Sequence, residues 1–325
     1  MDKLSIGILG AGHIAGKVSS TLEQMPQLRC CAVASRDLAK ARAFALEHGF
    51  EKAYASYEAL CADPDVDLVY VATPNSHHYA HIKMALEAGK AVLCEKSFTL
   101  NAAQAEELIA LSHKKNVLLA EAIWTRYMPF SKQIKEIIVS GVIGTPHFLS
   151  ANLGYALEWK ERVMRPEFGG GALLDVGVYC LNFALMCFGS DIKETVSACT
   201  KNDAGVDLQE TVTYIYNDGR MAELHASAQA ATDRQGIISG DKGFLIIDNV
   251  NNPGSASAWT RYGESLGHWE APVRISGFEY EFLACRRALL EGRIECEEMP
   301  HAEILRVMRM MDALRCSWGV SFPGE

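Results

Sequence analysis

The segment that most constrains this chain is its first apolar run, LSIGILGAGHIAG, which begins at Leu4. A stretch typical of a buried strand ends in the pattern G-x-G-x-x-A, formed by Gly10, Gly12 and Ala15, and a helical pattern follows. Gly10 permits a tight turn, Gly12 leaves the backbone open to a phosphate group, and Ala15 lets the helix pack closely on the strand. The pattern predicts a dinucleotide-binding turn, and an ordinary strand–helix turn is the alternative.

Composition narrows the class of protein and its partners. A length of 325 residues suggests two domains, and 49% hydrophobic with 22% charged residues is typical of a globular protein. The net charge of −9 argues against nucleic acid or an anionic membrane as a partner. No apolar run approaches the roughly 20 residues that cross a bilayer. The ten cysteines lack a C-x-x-C pair and no signal peptide is evident, so we expect free thiols and a cytoplasmic location.

The first half of the chain alternates between strand and helix patterns, which predicts an α/β fold with a doubly wound parallel sheet. After the first helix, the predicted strands are Leu28–Ala34, Ala53–Ala55, Asp67–Thr73, Ala91–Glu95 and Val117–Ala120. The predicted helices among them include Leu38–His48 and Ala102–Lys115. Ligands bind at the carboxyl ends of such strands, so the residues that follow each strand are the candidates for the cofactor site.

The end of the second strand bears on the choice of cofactor. Ser35 and Arg36 stand where NAD-binding proteins usually keep an acidic residue for the ribose 2′-hydroxyl, and Lys40 lies one turn into the next helix. A charged hydrogen bond from Arg36 to a 2′-phosphate would contribute about 1.5–3 kcal/mol, which favours NADP over NAD. The alternative is that Arg36 is simply solvated. Asp37 is interpreted as a helix N-cap rather than a ribose ligand.

Polar residues also follow the later strands. Thr73-Pro74-Asn75 and His77 follow one strand, and Asn75 or Ser76 is expected to cap the next helix. His77 and His81 have a spacing that could bind a metal, but no acidic or cysteine partner follows, so no metal is expected. Glu95 and Lys96 end another strand. A lysine there is costly unless it faces a wet or charged cleft, and the alternative is a surface lysine in a loop.

The second half predicts an α+β domain with a mostly antiparallel sheet. A long loop from Trp159 to Gly171 is long enough to form a lid over a site or its rim. A helix over Ala172–Phe188 is expected to place Asp175 and Tyr179 on one face, since they are four residues apart. The structural alternative is a capping acid and a packing tyrosine. Further predictions are strands at Thr211–Tyr216, Met221–Ala228 and Arg234–Ser239, a polar loop at Asn249–Ser257, and closing helices at Phe278–Glu291 and Ala302–Ser317.

Several motifs together resemble the glucose–fructose oxidoreductase / inositol dehydrogenase (Gfo/Idh/MocA) family. They are the glycine turn, AVLCEK ending at Lys96, EAIWTR ending at Arg126, GGGALLDVGVYC ending at Cys180, and the tail GVSFP. They span nearly the whole chain. One departure is Ser97, where the family usually has proline. Serine should hold Lys96 less rigidly, and Ser97→Pro should be tolerated.

The resemblance implies roles for individual residues. Tyr179 would be the general acid/base, Lys96 would favour the Tyr179 phenolate and bind the substrate oxygen, and Asp175 would orient Lys96 or the substrate. Trp124, Arg126 and Tyr179 would line the substrate pocket. The residues expected to bind the cofactor are Gly10, Gly12, His13, Ile14, Ser35, Arg36, Lys40, Thr73, Pro74, Asn75, His77, Glu95 and Lys96.

The expected protein is an NADP-dependent oxidoreductase, with NAD as the alternative cofactor, that transfers a hydride between nicotinamide and a secondary alcohol or ketone of a cyclic diol or a sugar. The alternatives are a sugar dehydrogenase or reductase of the same family and a non-catalytic NADP-binding regulator. We expect a Rossmann domain over 1–122 and a substrate-binding and dimerisation domain over 123–325, with the last helix able to pack back on the first domain. In this family the open sheet face is commonly a dimer interface, which implies a homodimer.

Overall fold

The computed structural model describes residues 3–325, and these form two compact units. The first unit contains the described chain up to Trp124 together with Arg274–Arg309. The second contains Thr125–Val273 and Met310–Glu325. The first unit therefore includes residues that the predicted division at 122 assigned to the second domain.

Within the described residues, the first unit is built on a six-stranded parallel sheet of order β3-β2-β1-β4-β5-β6. The strands are β1 (Leu4–Leu9), β2 (Leu28–Ala34), β3 (Lys52–Tyr54), β4 (Leu68–Val71), β5 (Ala91–Glu95) and β6 (Leu119–Ala122). β1, β4 and β5 are buried along their whole length, as expected for parallel strands covered on both faces. The predicted doubly wound sheet is confirmed, and its strand order reverses between β1 and β4.

The helices that connect these strands are α1 (His13–Leu22), α2 (Leu38–Glu47), α3 (Tyr57–Cys61), α4 (Asn75–Glu87) and α5 (Ala102–Lys115). Side-chain caps fix the starts of three of them: Asp37 caps α2, Ser56 caps α3 and Asn101 caps α5. The N-cap interpretation of Asp37 is therefore confirmed. The predicted cap of α4 is wrong, since Pro74 occupies the N-cap position without a side-chain bond and Asn75 is already helical.

A later helix also belongs to the first unit. In α9 (Glu279–Leu290), Phe282 is fully buried and its ring lies 5.5 Å from that of Tyr70 on β4. The Leu119 N–H of β6 donates to the Ile294 carbonyl over 3.0 Å, so the chain after α9 is bonded to the edge of the sheet. These contacts explain why Arg274–Arg309 joins the Rossmann unit. The unit boundary falls within α10 (His301–Trp318).

Within the described residues, the second unit has an eight-stranded sheet of order β14-β13-β12-β11-β7-β10-β9-β8. The strands are β7 (Pro146–Gly154), β8 (Ile192–Lys201), β9 (Asp207–Tyr216), β10 (Met221–Ser227), β11 (Gly236–Gly240), β12 (Gly243–Ile247), β13 (Ser255–Thr260) and β14 (Ser265–Glu270). Every pairing is antiparallel except that of β7 with β10. The predicted mostly antiparallel sheet is confirmed, but β13 occupies the end of the segment Asn249–Ser257, so its prediction as a loop is wrong there.

The helices of the second unit are α6 (Pro129–Val139), α7 (Glu161–Met164) and α8 (Val178–Phe188), with single 3₁₀ turns at Trp124–Tyr127 and Pro166–Phe168. A π-helical turn, Leu173–Gly177, leads directly into α8. The predicted α-helix from Ala172 to Phe188 is therefore wrong in its first turn. In α10 (His301–Trp318) the apolar residues at helical spacing, Ile304, Val307, Met308, Met311 and Leu314, are all buried.

Two features of the core bear on where the chain functions. The stretch Pro166–Phe188 is long and apolar enough to cross a membrane by length and composition, so the prediction that no apolar run approaches this length is wrong. In this stretch, 89% of the most apolar window is buried inside the protein, as in a core helix. All ten cysteines lie in the described residues and none forms a disulfide; the Sγ atoms of Cys285 and Cys296 are 3.8 Å apart.

Candidate active site

The turn after β1 has the geometry that its glycines predict. Gly10 has φ +102°, and a Cβ there would lie 2.9 Å from the Ala72 carbonyl oxygen. A Cβ on Gly12 would have no heavy atom within 4 Å among the described residues, so the backbone in front of α1 is open. In that same part of the chain, no side chain caps the N-terminus of α1, which leaves its first N–H groups for a ligand. A pyrophosphate group fits this cradle.

The strand order places this turn at the point where ligands bind in doubly wound sheets. β1 and β4 are neighbours whose connections run to opposite sides of the sheet. Thr73 follows β4, and its Cγ2 would lie 3.2 Å from a Cβ on Gly10. The predicted residues His13, Ile14, Pro74 and Asn75 belong to the same two turns. The structure therefore brings together the residues predicted after β1 and β4.

The end of β2 carries the residues expected to select the cofactor. Arg36 and Lys40 are exposed, whereas Ser35 is buried and its hydroxyl accepts the Asp37 N–H over 3.3 Å. The Asp37 carboxylate is occupied by the N–H groups of Ala39, at 2.8 Å, and Lys40, at 3.3 Å. That carboxylate is occupied as the cap of α2, and Arg36 and Lys40 are exposed positive charges at the end of this strand.

The helix after β4 contributes a histidine that sequence reasoning missed. His78 is fully buried, and its ring nitrogens lie 2.8 Å from the Thr73 carbonyl and 2.9 Å from the Ser97 carbonyl. It therefore joins the loop after β4 to the loop after β5. A neutral imidazole donates through one nitrogen only, and burial lowers the pKa of His78 to about 4. The sequence could have indicated that His78 is buried, since His78, Ile82 and Ala85 lie at helical spacing on the buried face of α4.

The other two histidines of α4 differ from each other. His77 is exposed, as a residue that contacts a cofactor can be. His81 lies 2.9 Å from the Thr73 hydroxyl through Nδ1, and burial lowers the pKa of His81 to about 4. Within residues 3–325, no three His, Cys, Asp or Glu side chains come together as a metal site requires.

The Lys96 loop is fixed by buried carboxylates. The Tyr70 hydroxyl donates to one oxygen of Glu95, and the Lys96 N–H donates to the other over 3.3 Å. The Phe98 N–H donates to Glu121 over 3.1 Å. Glu95 is buried, so its side chain supports the loop from within the unit, while Lys96 is half-buried. The peptide bond between Lys96 and Ser97 is cis.

The two residues predicted to line the pocket have defined partners. Trp124 stacks on Phe278, with ring centroids 4.5 Å apart and an angle of 20° between the ring planes. Arg126 donates through Nε to the Asn182 side chain over 2.5 Å. Asn182 is fully buried on α8, less than one turn after Tyr179, and its amide donates to the Val178 carbonyl. Arg126 is therefore tied to the helix that carries Tyr179.

The π-helical turn carries Asp175, and Tyr179 follows in α8. Both residues are nearly buried, at 7% and 9% exposure. The Asp207 carboxylate accepts the Leu173 N–H over 2.7 Å at the start of this turn. A Cβ on Gly177 would lie 2.3 Å from Glu210 Oε1, so only glycine admits this buried carboxyl group beside the turn. Two buried carboxyl groups thus lie directly against the π-helical turn.

Asp175 also has a partner that the sequence did not indicate. Arg162 on α7 donates through Nη2 to both oxygens of Asp175, at 3.1 and 3.4 Å. Arg162 belongs to the segment predicted as a lid loop, and the pairing depends on the tertiary fold.

Comparison with known proteins places the chain in a family. The model of the oxidoreductase family with an NAD-binding Rossmann fold matches residues 4–122, and the model of the GFO/IDH/MocA C-terminal domain matches residues 131–246. The chain belongs to the GFO/IDH/MocA oxidoreductase family. The predicted resemblance is confirmed, and so is the predicted enzyme class, a nicotinamide-dependent dehydrogenase.

Two curated members of the family resemble this chain over almost its full length. Both are named trans-1,2-dihydrobenzene-1,2-diol dehydrogenase. The protein from Xenopus tropicalis is 35% identical and that from Xenopus laevis is 36% identical, and each match covers 98% of both chains. Within the family, the sequence motifs described above are most like those of dimeric dihydrodiol dehydrogenase, and these matches agree with that likeness.

A solved structure extends the comparison to the fold. A 3-ketoreductase from Actinomadura kijaniata, in complex with NADP and TDP-benzene, has a TM-score of 0.89 at 28% identity, and the match covers 97% of both chains. Further structures of that enzyme carry a lysine-to-alanine or a tyrosine-to-phenylalanine replacement, with TM-scores of 0.85 and 0.88.

Proposed function

We propose that this oxidoreductase uses NADP to interconvert a secondary alcohol and a ketone on a cyclic diol or a sugar. The observation that carries the proposal is the open Gly10–Gly12 turn at the strand-order reversal, with Lys96 directly after β5 at the same edge of the sheet. The relatives named for a dihydrodiol and the 3-ketoreductase bound to NADP support the substrate class and the cofactor.

The cofactor residues fall into three groups by the part of the cofactor that they would contact. Gly10, Gly12, His13 and Ile14 would cradle the pyrophosphate, and Arg36 with Lys40 would hold the 2′-phosphate. Ser35, Thr73, Pro74, Asn75, His77, Glu95 and Lys96 would border the rest of the cofactor. When bound, nicotinamide supplies the hydride acceptor or donor.

The protein's own groups would manage the proton. We propose that Tyr179 takes the proton of the substrate hydroxyl during oxidation and returns it during reduction. Lys96 would favour the phenolate through its positive charge and would bind the substrate oxygen. Asp175 would orient the substrate, and Trp124 and Arg126 would line the pocket. The tyrosine and lysine replacements made in the 3-ketoreductase support testing these two residue types first.

The test is hydride transfer followed at 340 nm with purified protein, NADP or NAD, and a panel of cyclic diols, aldoses and keto-sugars. We expect turnover with a cyclic diol or a sugar and a preference for NADP. Tyr179→Phe should reduce turnover at least a hundredfold with unchanged NADPH affinity, since general acid–base catalysis contributes about 10²–10⁴-fold. Tight NADPH binding without turnover on any substrate would support the alternative, a non-catalytic NADP-binding regulator.

We also propose that the chain forms a homodimer through the second unit's sheet. One face of that sheet packs against α8, and the residues of the other face are half-buried or exposed. Strand register aligns several apolar side chains on that outer face: Phe148, Ile215, Met221, Ile237, Phe244, Ile246 and Trp259. A sheet face with this many apolar side chains would bury them by pairing with its copy across a twofold axis.

Light scattering on the purified protein tests the dimer. Phe244→Glu should shift the mass from about twice 35.6 kDa to that of one chain. The control is Leu46→Glu, which replaces an exposed leucine on α2 of the first unit and should leave the mass unchanged. A single-chain mass for the unmodified protein would contradict the proposal.

A cytoplasmic location is the last proposal. It is supported by the ten unpaired cysteines, several of them buried, which are typical of a reducing compartment. Titration of denatured protein purified without reductant should find ten thiols. Fewer thiols in protein taken directly from its cell of origin would contradict this proposal.

A further inference from the structure

Arg162 is a half-exposed arginine that pairs with a nearly buried carboxylate. Its Nη2 donates to both oxygens of Asp175, so one nitrogen makes both contacts. Within residues 3–325, its Nε and Nη1 have no recorded hydrogen bond, and its side chain is 43% exposed against 9% for Asp175. The guanidinium therefore holds a nearly buried carboxylate with one nitrogen and presents its other donors to solvent.

The backbone fixes Arg162 in this place. The Gly171 N–H donates to the Val163 carbonyl over 2.9 Å, and the Gly170 N–H donates to the Arg165 carbonyl over 3.2 Å. A Cβ on Gly170 would lie 2.5–2.8 Å from the carbonyl oxygens of Arg162, Val163 and Arg165. The glycine run thus lets α7 pack directly against the start of the π-helical turn. Val163 is fully buried, so the segment is anchored rather than free to swing.

The charge balance at this place limits what it can bind. The segment and the turn together carry three basic and three acidic side chains, namely Lys160, Arg162, Arg165, Glu161, Glu167 and Asp175. The Asp175 carboxylate accepts hydrogen bonds, and the Arg162 guanidinium beside it donates them. An acceptor next to donors suits a hydroxyl group, which both donates and accepts, better than a phosphate or carboxylate group, which the negative charge of Asp175 would repel.

We infer that Arg162 is a specificity-determining residue. Together with Asp175 it binds the substrate hydroxyl adjacent to the one that is oxidised: the carboxylate accepts that hydroxyl's proton in a hydrogen bond, and the guanidinium donates to its oxygen. The inference rests on the proposed function, because it assigns the pair to the same substrate as Tyr179, which follows Asp175 by four residues on the continuous helical segment.

The test compares a vicinal diol with the alcohol that lacks the second hydroxyl. The substrates are trans-cyclohexane-1,2-diol and cyclohexanol with saturating NADP, and the readout is the ratio of their kcat/KM values. We expect Arg162→Gln to lower kcat/KM for the diol on the order of tenfold to hundredfold and to change the value for cyclohexanol less than threefold. Arg162→Lys should recover part of the loss, since it restores the charge with a single donor group.

The chain offers a matched control. Arg165 lies three residues after Arg162 and pairs with the exposed Glu161 over 3.3 Å. Arg165→Gln removes an arginine from the same segment without touching Asp175 and should leave the ratio unchanged. Calorimetric binding of both ring alcohols to the NADPH-loaded protein repeats the comparison without turnover, and the same loss of preference for the diol is expected in Arg162→Gln.

The outcomes separate the inference from the proposed function. Equal losses for diol and cyclohexanol in Arg162→Gln, or no loss at all, would overturn the role of Arg162 while leaving the oxidoreductase activity standing. If the unmodified protein neither binds nor oxidises any member of the wider panel of diols and sugars, the proposed function is wrong, and the inference falls with it.

Discussion

Asp207 caps the π-helical turn that carries Asp175: its Oδ2 accepts the N–H of Leu173 over 2.7 Å, and the carboxyl group is fully buried. The acceptor comes from the first residue of β9, 34 residues further along the chain. Within the described chain, the N-cap residue of this turn supplies no side-chain cap. A residue of the sheet therefore fixes the start of the segment that bears Asp175 and Tyr179.

Removing this cap should destabilise the second unit. Asp207→Leu leaves the Leu173 N–H buried without an acceptor, which costs about 1–3 kcal/mol in the free energy of unfolding. Asp207→Asn should cost less, because the amide oxygen still accepts the hydrogen bond from the Leu173 N–H. Burial also raises the pKa of Asp207, which favours its neutral form, and an amide resembles that form. Urea denaturation measures both, with exposed Asp203→Leu as the control. Equal stability of Asp207→Leu and the unmodified protein would contradict the cap.

Gly177 should be intolerant of a side chain for a steric reason alone. Its φ of −60° suits any residue, but a Cβ would lie 2.3 Å from Glu210 Oε1. Gly177→Ala should therefore destabilise the protein by about 1–3 kcal/mol. Combining it with Glu210→Ala should cost less than the two single losses added together, since the second change vacates the space. Additive losses in thermal or urea unfolding would show that the two residues do not compete for this volume.

Glu210 should make stability fall as the pH rises. Burial raises the pKa of Glu210 well above its ordinary 4.5, and the nearby Asp207 charge adds to the effect. The folded protein holds this proton while the unfolded chain releases it above about pH 4.5, so the stabilisation present below that pH is lost as the pH increases.

Glu210→Gln removes this titration. Its Tm relative to the unmodified protein should therefore be higher at pH 8 than at pH 4.5. Glu223→Gln, an exposed position on the neighbouring β10, is the control and should show no such trend. A Tm difference independent of pH in Glu210→Gln would mean that Glu210 is ionised in the folded protein.

The parts of the fold that sequence predicted well are those determined by local pattern. β2, β5 and α5 begin and end at the predicted residues, because each is an apolar or amphipathic run closed by turn or capping residues. β6 was predicted two residues too early. Asn116 adopts φ +54° and the Val117 N–H donates to the Ser112 carbonyl. Val117 therefore belongs to the C-terminal cap of α5, although its side chain is typical of a strand.

The parts that sequence missed depend on partners distant along the chain. β13 and β14, SASAWT and SLGHWE, are rich in small polar residues and are defined by their pairing with each other and with β12. The Arg162–Asp175 ion pair and the Asp207 cap are likewise tertiary contacts. The sequence could identify Asp175 and Tyr179 through the family motif, but not the groups that hold them.

Arg36 should decide the choice between the two nicotinamide cofactors. It is exposed at the end of β2, and the neighbouring Asp37 carboxylate is occupied as the cap of α2. The proposed role of its guanidinium is to pair with the 2′-phosphate. Arg36→Ala should raise the Kd for NADPH tenfold to a hundredfold, the equivalent of about 1.5–3 kcal/mol for one charged hydrogen bond, and should change the Kd for NADH less than threefold. Fluorescence titration of both reduced cofactors measures these constants.

Arg42→Ala, at an exposed position within α2, is the matched control and should leave both dissociation constants unchanged. Equal weakening of NADPH and NADH binding by Arg36→Ala would assign Arg36 to a part that the two cofactors share, and unchanged affinities would mean that it is only a solvated surface residue.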